Sequence, residues 1–260
     1  MSDLKTGNVI LIGGEKGGVG KSTSAVNLAV MSTIMGHDTI LIDATIKQAS
    51  SARFMDRRKE KGILPTPPYV RIQGKYLHAE LEDLSNRCER AVVDVGGFDS
   101  VELRSAMAAK VVKRMYSPLK ASEFDLETLE TINELVYLAR SYNPDLNCYV
   151  FFNQTPTTAG REELINDATE LVKNYECLQM ASSVLSNRMS VQEAAGSGLS
   201  VVEYEEERRQ SMPAYRIKDY LFKGSIEFCN LYREVFNEEF KHPKFTTLGE
   251  YQQKNKEAAE

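Results

Sequence analysis

The chain's 260 residues are 42% hydrophobic and 27% charged, which suits one large domain with a substantial core. No apolar stretch approaches the ~20 residues that cross a bilayer, and the polar opening "MSDLKTG" is not a secretory signal. The net charge of −5 neither advertises nor excludes nucleic-acid binding, because a local basic patch acts within an acidic protein.

In chain order, the apolar run at 8–12, "NVILI", predicts a buried strand entering a glycine-rich turn. "KSTSAVNLAVMSTIMG" then carries apolar residues at helical spacing and closes on Gly36, a plausible cap past a helix end. "DTILID" at 38–43 predicts a second buried strand, "SARFMDRRKEKG" a charged helix, and 69–73 a strand after three prolines. A helix over "KYLHAELEDLSNRC", a strand at 90–97 and a helix over "SVELRSAMAAK" follow. The next strand, a central one, falls on "VVKRMYSPL", where Lys113 and Arg114 conflict with full burial; either the strand is shorter or that end is exposed. A helix at 125–142, a strand at 147–153, a helix over "GREELINDATELVKNY", a strand over "CLQMASSVL" and a short helix over "VQEAAGSG" complete the alternation. After Pro213 the pattern turns helical, and "TTLGEYQQKNKEAAE" has no apolar stripe. The expectation is one domain over 1–240 and a polar tail over 241–260.

Strands alternating with helices of this length predict an α/β fold, a mostly parallel twisted sheet with helices on both faces and further helices at the C-terminus. Ligands in such folds bind beyond the carboxyl ends of the strands. The four cysteines, Cys88, Cys148, Cys177 and Cys229, include no C-x-x-C pair and read as incidental thiols of a reducing cytosol.

The stretch "EKGGVGKSTS" lies between the first strand and the first helix, in the place of a phosphate-binding turn. Gly17, Gly18 and Gly20 let backbone N–H groups curl toward a polyphosphate, and the helix adds the positive end of its dipole. Val19 and Thr23 complete the loop, Lys21 would reach the β- and γ-phosphates, and the Ser22 hydroxyl would ligate Mg²⁺. The literal G-x-x-x-x-G-K-[ST] pattern fails at its first glycine, where residue 15 is Glu.

Residues 16–22, "KGGVGKS", instead match the K-G-G-x-G-K-[ST] loop of the ParA/MinD family of deviant Walker-A ATPases, and the chain resembles that family over most of 8–204. The resemblance implies a P-loop ATPase using ATP and Mg²⁺ that forms a nucleotide-sandwich dimer, with Lys16 reaching the partner's nucleotide. In "AVVDVGG", Asp94 ends a buried strand and would hold the Mg²⁺ shell, while Gly96 and Gly97 form the turn at the γ-phosphate. In "ILIDATIKQASS", Asp43 matches the first aspartate of the family's D-x-D-P-Q, which organises metal and loop. The second aspartate, which orients the attacking water in relatives, falls on Thr45, and Ile46 and Lys47 replace the proline and glutamine. A threonine is no carboxylate base, so the expected hydrolysis is slow, partner-dependent or served by another residue. Asn153 in "FFNQTP" stands where relatives recognise adenine.

The stretches around Asp94 and over 187–204 are similar to partition-type ParA proteins. The resemblance therefore implies a cytoplasmic, nucleoid-associated ATPase that binds DNA without sequence preference and segregates plasmid or chromosomal DNA with a ParB-type adaptor. Arg188, Arg208, Arg209, Arg216, Lys218 and Lys223 are the candidate phosphate contacts, and a solvated helix face explains them as readily. The tail "YQQKNKEAAE" offers no basic amphipathic face for a membrane. Other readings stay open: an ATPase positioning a protein cargo, a nucleotide-locked scaffold, a P-loop metabolic ligase, and an iron–sulfur carrier disfavoured by the unpaired cysteines.

Overall fold

A computed structural model describes residues 8–14, 16–45, 49–97, 100–120, 126–157, 161–213, 216 and 222–241. Lys218, the loop residues Ile46 and Lys47, and all of the predicted tail beyond Lys241 lie outside them. Among the described residues seven strands and nine helices follow one another. The first half holds β1 (Asn8–Ile12), α1 (Lys21–Ile34), β2 (Thr39–Ala44), α2 (Ser50–Glu60), β3 (Tyr69–Arg71), α3 (Leu77–Ser85), β4 (Arg90–Val95) and α4 (Val101–Ala108). Then come β5 (Val112–Lys120), α5 (Leu126–Ala139), β6 (Asn147–Thr155), α6 (Arg161–Val172), β7 (Leu178–Ser186), α7 (Met189–Ser197), α8 (Val201–Gln210) and α9 (Lys223–Phe236).

The strands form one sheet in the order β3-β2-β4-β1-β5-β6-β7, with every pairing parallel. Because side chains alternate along a strand, the run "VILI" serves two cores at once. Ile10 and Ile12 join α1, α2, α8 and α9 on one face, and Val9 and Leu11 join α3, α4 and α5 on the other. Strand order reverses at β1, so the turns after β1 and β4 open at one crevice beyond the carboxyl edge.

The charged start of β5 is reconciled with a central strand by its position at the amino edge of the sheet. Lys113 is exposed and pairs with Asp145 at 2.6 Å, whereas Arg114 donates to Val235 O at 2.6 Å and to Asn8 Oδ1 at 2.9 Å. Met115 to Leu119 are buried. Lys113→Ala should therefore change unfolding free energy by no more than about 0.5 kcal/mol, as exposed ion pairs generally do. A urea titration giving a midpoint well below wild type would contradict this.

Helix α8 has no counterpart among the expected elements, because its charge-rich sequence lacks an apolar stripe. It is nucleated by a capping box: Glu203 Oε2 accepts from Ser200 N at 2.8 Å and from Ser200 Oγ at 2.7 Å. The same carboxylate receives both terminal nitrogens of Arg58 at 2.7 Å each, and Arg58 is 0% exposed. Arg58 also donates to Gly198 O and Pro65 O, Arg57 to Ala195 O, and Lys61 to Ser197 O. The last turn of α2 thus covers the final carbonyls of α7, where cations are favoured.

Candidate functional site

The turn from β1 to α1 is the start of the site. Gly20 caps α1 in the left-handed region (φ 91°), and a Cβ there would fall 2.1 Å from Asn153 Nδ2. Only glycine meets both demands. No side chain caps the N-terminus of α1 and no acid stands in its first turn, so that end keeps its positive dipole and unclaimed amides for an anion. Beyond the strand ends lies a cleft of about 560 Å³, lined by Gly17, Gly18, Gly20, Lys21, Ser22 and Thr23 on one side. Thr45, Ser50, Gly96, Gly97, Ser100, Glu102 and Gln154 are on its other walls. That volume is in the range of small-ligand sites.

Lys21 is 7% exposed and donates Nζ to Lys16 O at 2.5 Å. Burial lowers its pKa, and the nearby Asp94 charge opposes that shift. Val19 is buried, and its carbonyl accepts from Asn153 Nδ2 at 2.8 Å. Asn153 Oδ1 accepts from Gln154 N, and Gln154 Nε2 reaches Gly18 O at 3.2 Å. Asn153 thus braces the underside of the loop. Lys16 is half-buried, outside the cleft lining, and borders a small cavity with Ser117, Lys120 and Thr128.

Asp43 and Asp94 are register partners at the ends of β2 and β4, and both are fully buried. Asp43 spends its oxygens locally: Oδ1 accepts from Thr45 N and Thr45 Oγ1, and Oδ2 from Ala52 N at 2.9 Å. It ties the loop after β2 to the start of α2. Asp94 Oδ2 accepts from Ser51 Oγ at 2.6 Å, while Oδ1 is buried with no partner among the described residues. Burial pushes the Asp94 carboxyl up to about 6, with the Asp43 charge adding and the Ser51 hydrogen bond, the neighbouring Ser22 hydroxyl and the Lys21 charge opposing. A buried carboxylate oxygen left one partner short, beside the Ser22 hydroxyl and the phosphate loop, fits a Mg²⁺ brought in on phosphates. Among the described residues no cluster of His, Cys, Asp and Glu forms a metal cage of its own.

Sequence reasoning missed Ser51, Gln154 and Glu102. Serine at a helix start and an acid in a first turn are so common at N-termini that neither pointed to a site.

The DNA candidates fall apart in space and chemistry. Arg188 is paired with Glu227 at 2.6 Å and Arg209 with Glu206 at 2.5 Å, with little of either arginine exposed. Arg208 meets Glu193 at 3.2 Å with about half its side chain in solvent, and Lys223 opens α9 exposed. Arg216 is exposed. No helix of the described residues is long and apolar enough to cross a membrane.

A seven-stranded parallel sheet carrying this lysine-flanked loop defines a P-loop ATPase of the ParA/MinD group with a deviant Walker A motif. A family model for ATPase MipZ matches residues 8–143. The chain belongs to the MipZ ATPase family. No curated protein matches it in sequence. Solved structures share the fold at low identity. The septum site-determining protein MinD of Pyrococcus horikoshii, complexed with Mg-ADP, is 15% identical, with 88% of this chain and 95% of that one covered at a TM-score of 0.62. A McdA(D38A)-ATP complex from Cyanothece is 14% identical over 90% and 98%, at 0.63. A plasmid partition protein of Borrelia burgdorferi bound to AMPPNP is 18% identical over 76% and 96%, at 0.55.

Proposed function

We propose that the chain is an ATP-driven switch that closes as a homodimer over Mg-ATP, binds DNA without sequence preference in that state, and positions or segregates a cargo with a ParB-type adaptor. The observation that carries this reading is one cleft shared by Gly17, Gly18, Gly20, Lys21 and Ser22 of the loop and by Val95 to Gly97, which directly follow Asp94 and its unpartnered buried oxygen. The nucleotide complexes of the MinD, McdA and partition proteins with the same fold support it.

Gly17 to Gly20 and the first amides of α1 would cradle the phosphates, with Lys21 on the β- and γ-oxygens. Ser22 would ligate the metal, and Asp94 and Asp43 would order its surroundings. Bound Mg²⁺ supplies neutralisation of phosphate charge. Gly97 stands at the γ-phosphate turn, and Asn153 sets the height of the loop as well as the adenine side of the site. Lys16 would leave its position beside β5 and cross to the second subunit.

Lys16→Ala should bind ATP within about threefold of wild type by calorimetry yet stay monomeric in light scattering. A variant that dimerises normally with ATP would remove Lys16 from the interface. For DNA, the exposed Arg208 and Lys223 are the better contacts, since Arg188 and Arg209 would first have to abandon buried partners. Charge reversal of both exposed residues should weaken ATP-dependent binding and flatten its logarithmic salt dependence by about 0.9 for each phosphate no longer neutralised. Equal retardation of wild type and variant in low-salt gels would show that the DNA lies against another surface. A second reading, a long-lived ATP-bound scaffold, is favoured by Thr45; phosphate release at ordinary rates by the protein alone would exclude it.

A further inference from the structure

Two buried carboxylate oxygens lack a partner among the described residues: Asp94 Oδ1, one residue before the cleft-lining Val95, and Glu102 Oε2, whose residue lines the cleft itself. The first fits the metal side of the site. Glu102 is 4% exposed, in the first turn of α4, and lines the cleft together with Thr45, Gly96, Gly97 and Ser100. Its Oε1 accepts from Gly74 N at 2.9 Å, while the adjoining Gln73 donates Nε2 to Thr45 O at 3.2 Å. The dipeptide Gln73-Gly74 therefore holds Thr45 by its carbonyl and Glu102 by its carboxylate.

Thr45 occupies the position where relatives carry the aspartate that orients water. Asp43 is committed on both oxygens, to Thr45 and to Ala52, and Asp94 is bonded to Ser51 through Oδ2 and keeps only Oδ1, the oxygen assigned above to the metal. Among the described residues, Glu102 alone brings an uncommitted oxygen from the Thr45 side. A buried acceptor left short is costly to folding and marks a place that a ligand completes.

We propose that Glu102 is the carboxylate that holds and deprotonates the water attacking the γ-phosphate. The inference rests on the ATPase reading and names the residue that does the work Thr45 lacks. In the step, the water oxygen bonds to the γ-phosphorus and the bond to the β–γ bridging oxygen breaks. The electron pair of that bond leaves with ADP. The water's proton passes to Glu102 Oε2 and from there to solvent as phosphate departs.

Glu102→Gln keeps the acceptor for Gly74 N and removes the base. Single-turnover hydrolysis should fall about 100-fold, with nucleotide affinity within threefold of wild type. Light scattering should find the variant still dimeric in ATP long after wild type has returned to monomer. Adding Thr45→Asp to the same variant should restore at least a tenth of the wild-type rate, because the carboxylate returns at the position relatives use. Hydrolysis by E102Q within threefold of wild type overturns the proposal and leaves the ATPase reading standing. Affinity lost in parallel with rate, with no rescue by T45D, also overturns it and makes Glu102 a structural residue. Wild type that takes up no ATP defeats the underlying reading, and that is seen before any variant is made.

Discussion

Arg58→Ala should lower the melting temperature by roughly 6–20 °C. The guanidinium is 0% exposed and donates to Glu203 through both terminal nitrogens, to Gly198 O and to Pro65 O. Alanine leaves two carbonyls unpaired and a carboxylate that is only 12% exposed without its counter-charge. Removing one member of a buried ion pair costs about 3–5 kcal/mol, and each kcal/mol shifts melting by about 2–4 °C in a chain of this size. Arg58→Lys should fall between, since an ammonium cannot serve the carboxylate in the same bidentate fashion. Calorimetric melting of the three proteins without nucleotide is the measurement. A shift under about 2 °C for alanine would mean that water replaces the guanidinium at no cost.

Gly20→Ala is expected to reduce ATP affinity by about 100-fold or more, with a smaller loss of stability. The left-handed backbone there costs an L-residue about 1–2 kcal/mol. The new methyl would lie 2.1 Å from Asn153 Nδ2, so Asn153 must give up its bond to Val19 O and the loop must shift. Phosphate recognition by converging amides depends on placement within fractions of an ångström, and each 1.4 kcal/mol is tenfold in affinity. Gly17 is the control: a Cβ there meets nothing within 4 Å, so Gly17→Ala should melt with wild type. Calorimetric titration separates the two variants. Equal, wild-type affinity in both would show that the loop does not bind the nucleotide as proposed.

The sheet was legible because buried parallel strands leave short apolar runs that helical periods separate, and the loop was legible because two lysines around three glycines fit few other purposes. Other features resisted for physical reasons. Lys113 and Arg114 stand within a central strand, but at its open end, and a linear sequence does not say which end faces water. Helix α8 shows no stripe because only Val201 and Val202 at its start enter the core, while its buried Glu205 and Glu206 are held by Ser225 and Arg209; its S-x-x-E box was the readable signal. Asn153 reads as a turn residue until the fold sets its amide beneath Val19. Glu102 resembles an ordinary first-turn acid until the fold buries it and brings Gly74 N onto its carboxylate.

Helix α2 begins with Ser51 on Asp94 and Ala52 on Asp43, and ends with Arg57, Arg58 and Lys61 on the closing turn of α7. Its 11 residues span about 16 Å at 1.5 Å each. Slipping at the far end would strand the buried Arg58 guanidinium away from water. The same 11 residues therefore fix the two aspartates at one end and the closing turn of α7 at the other, joining the carboxyl edge of the sheet to helices more than a hundred residues away in the chain.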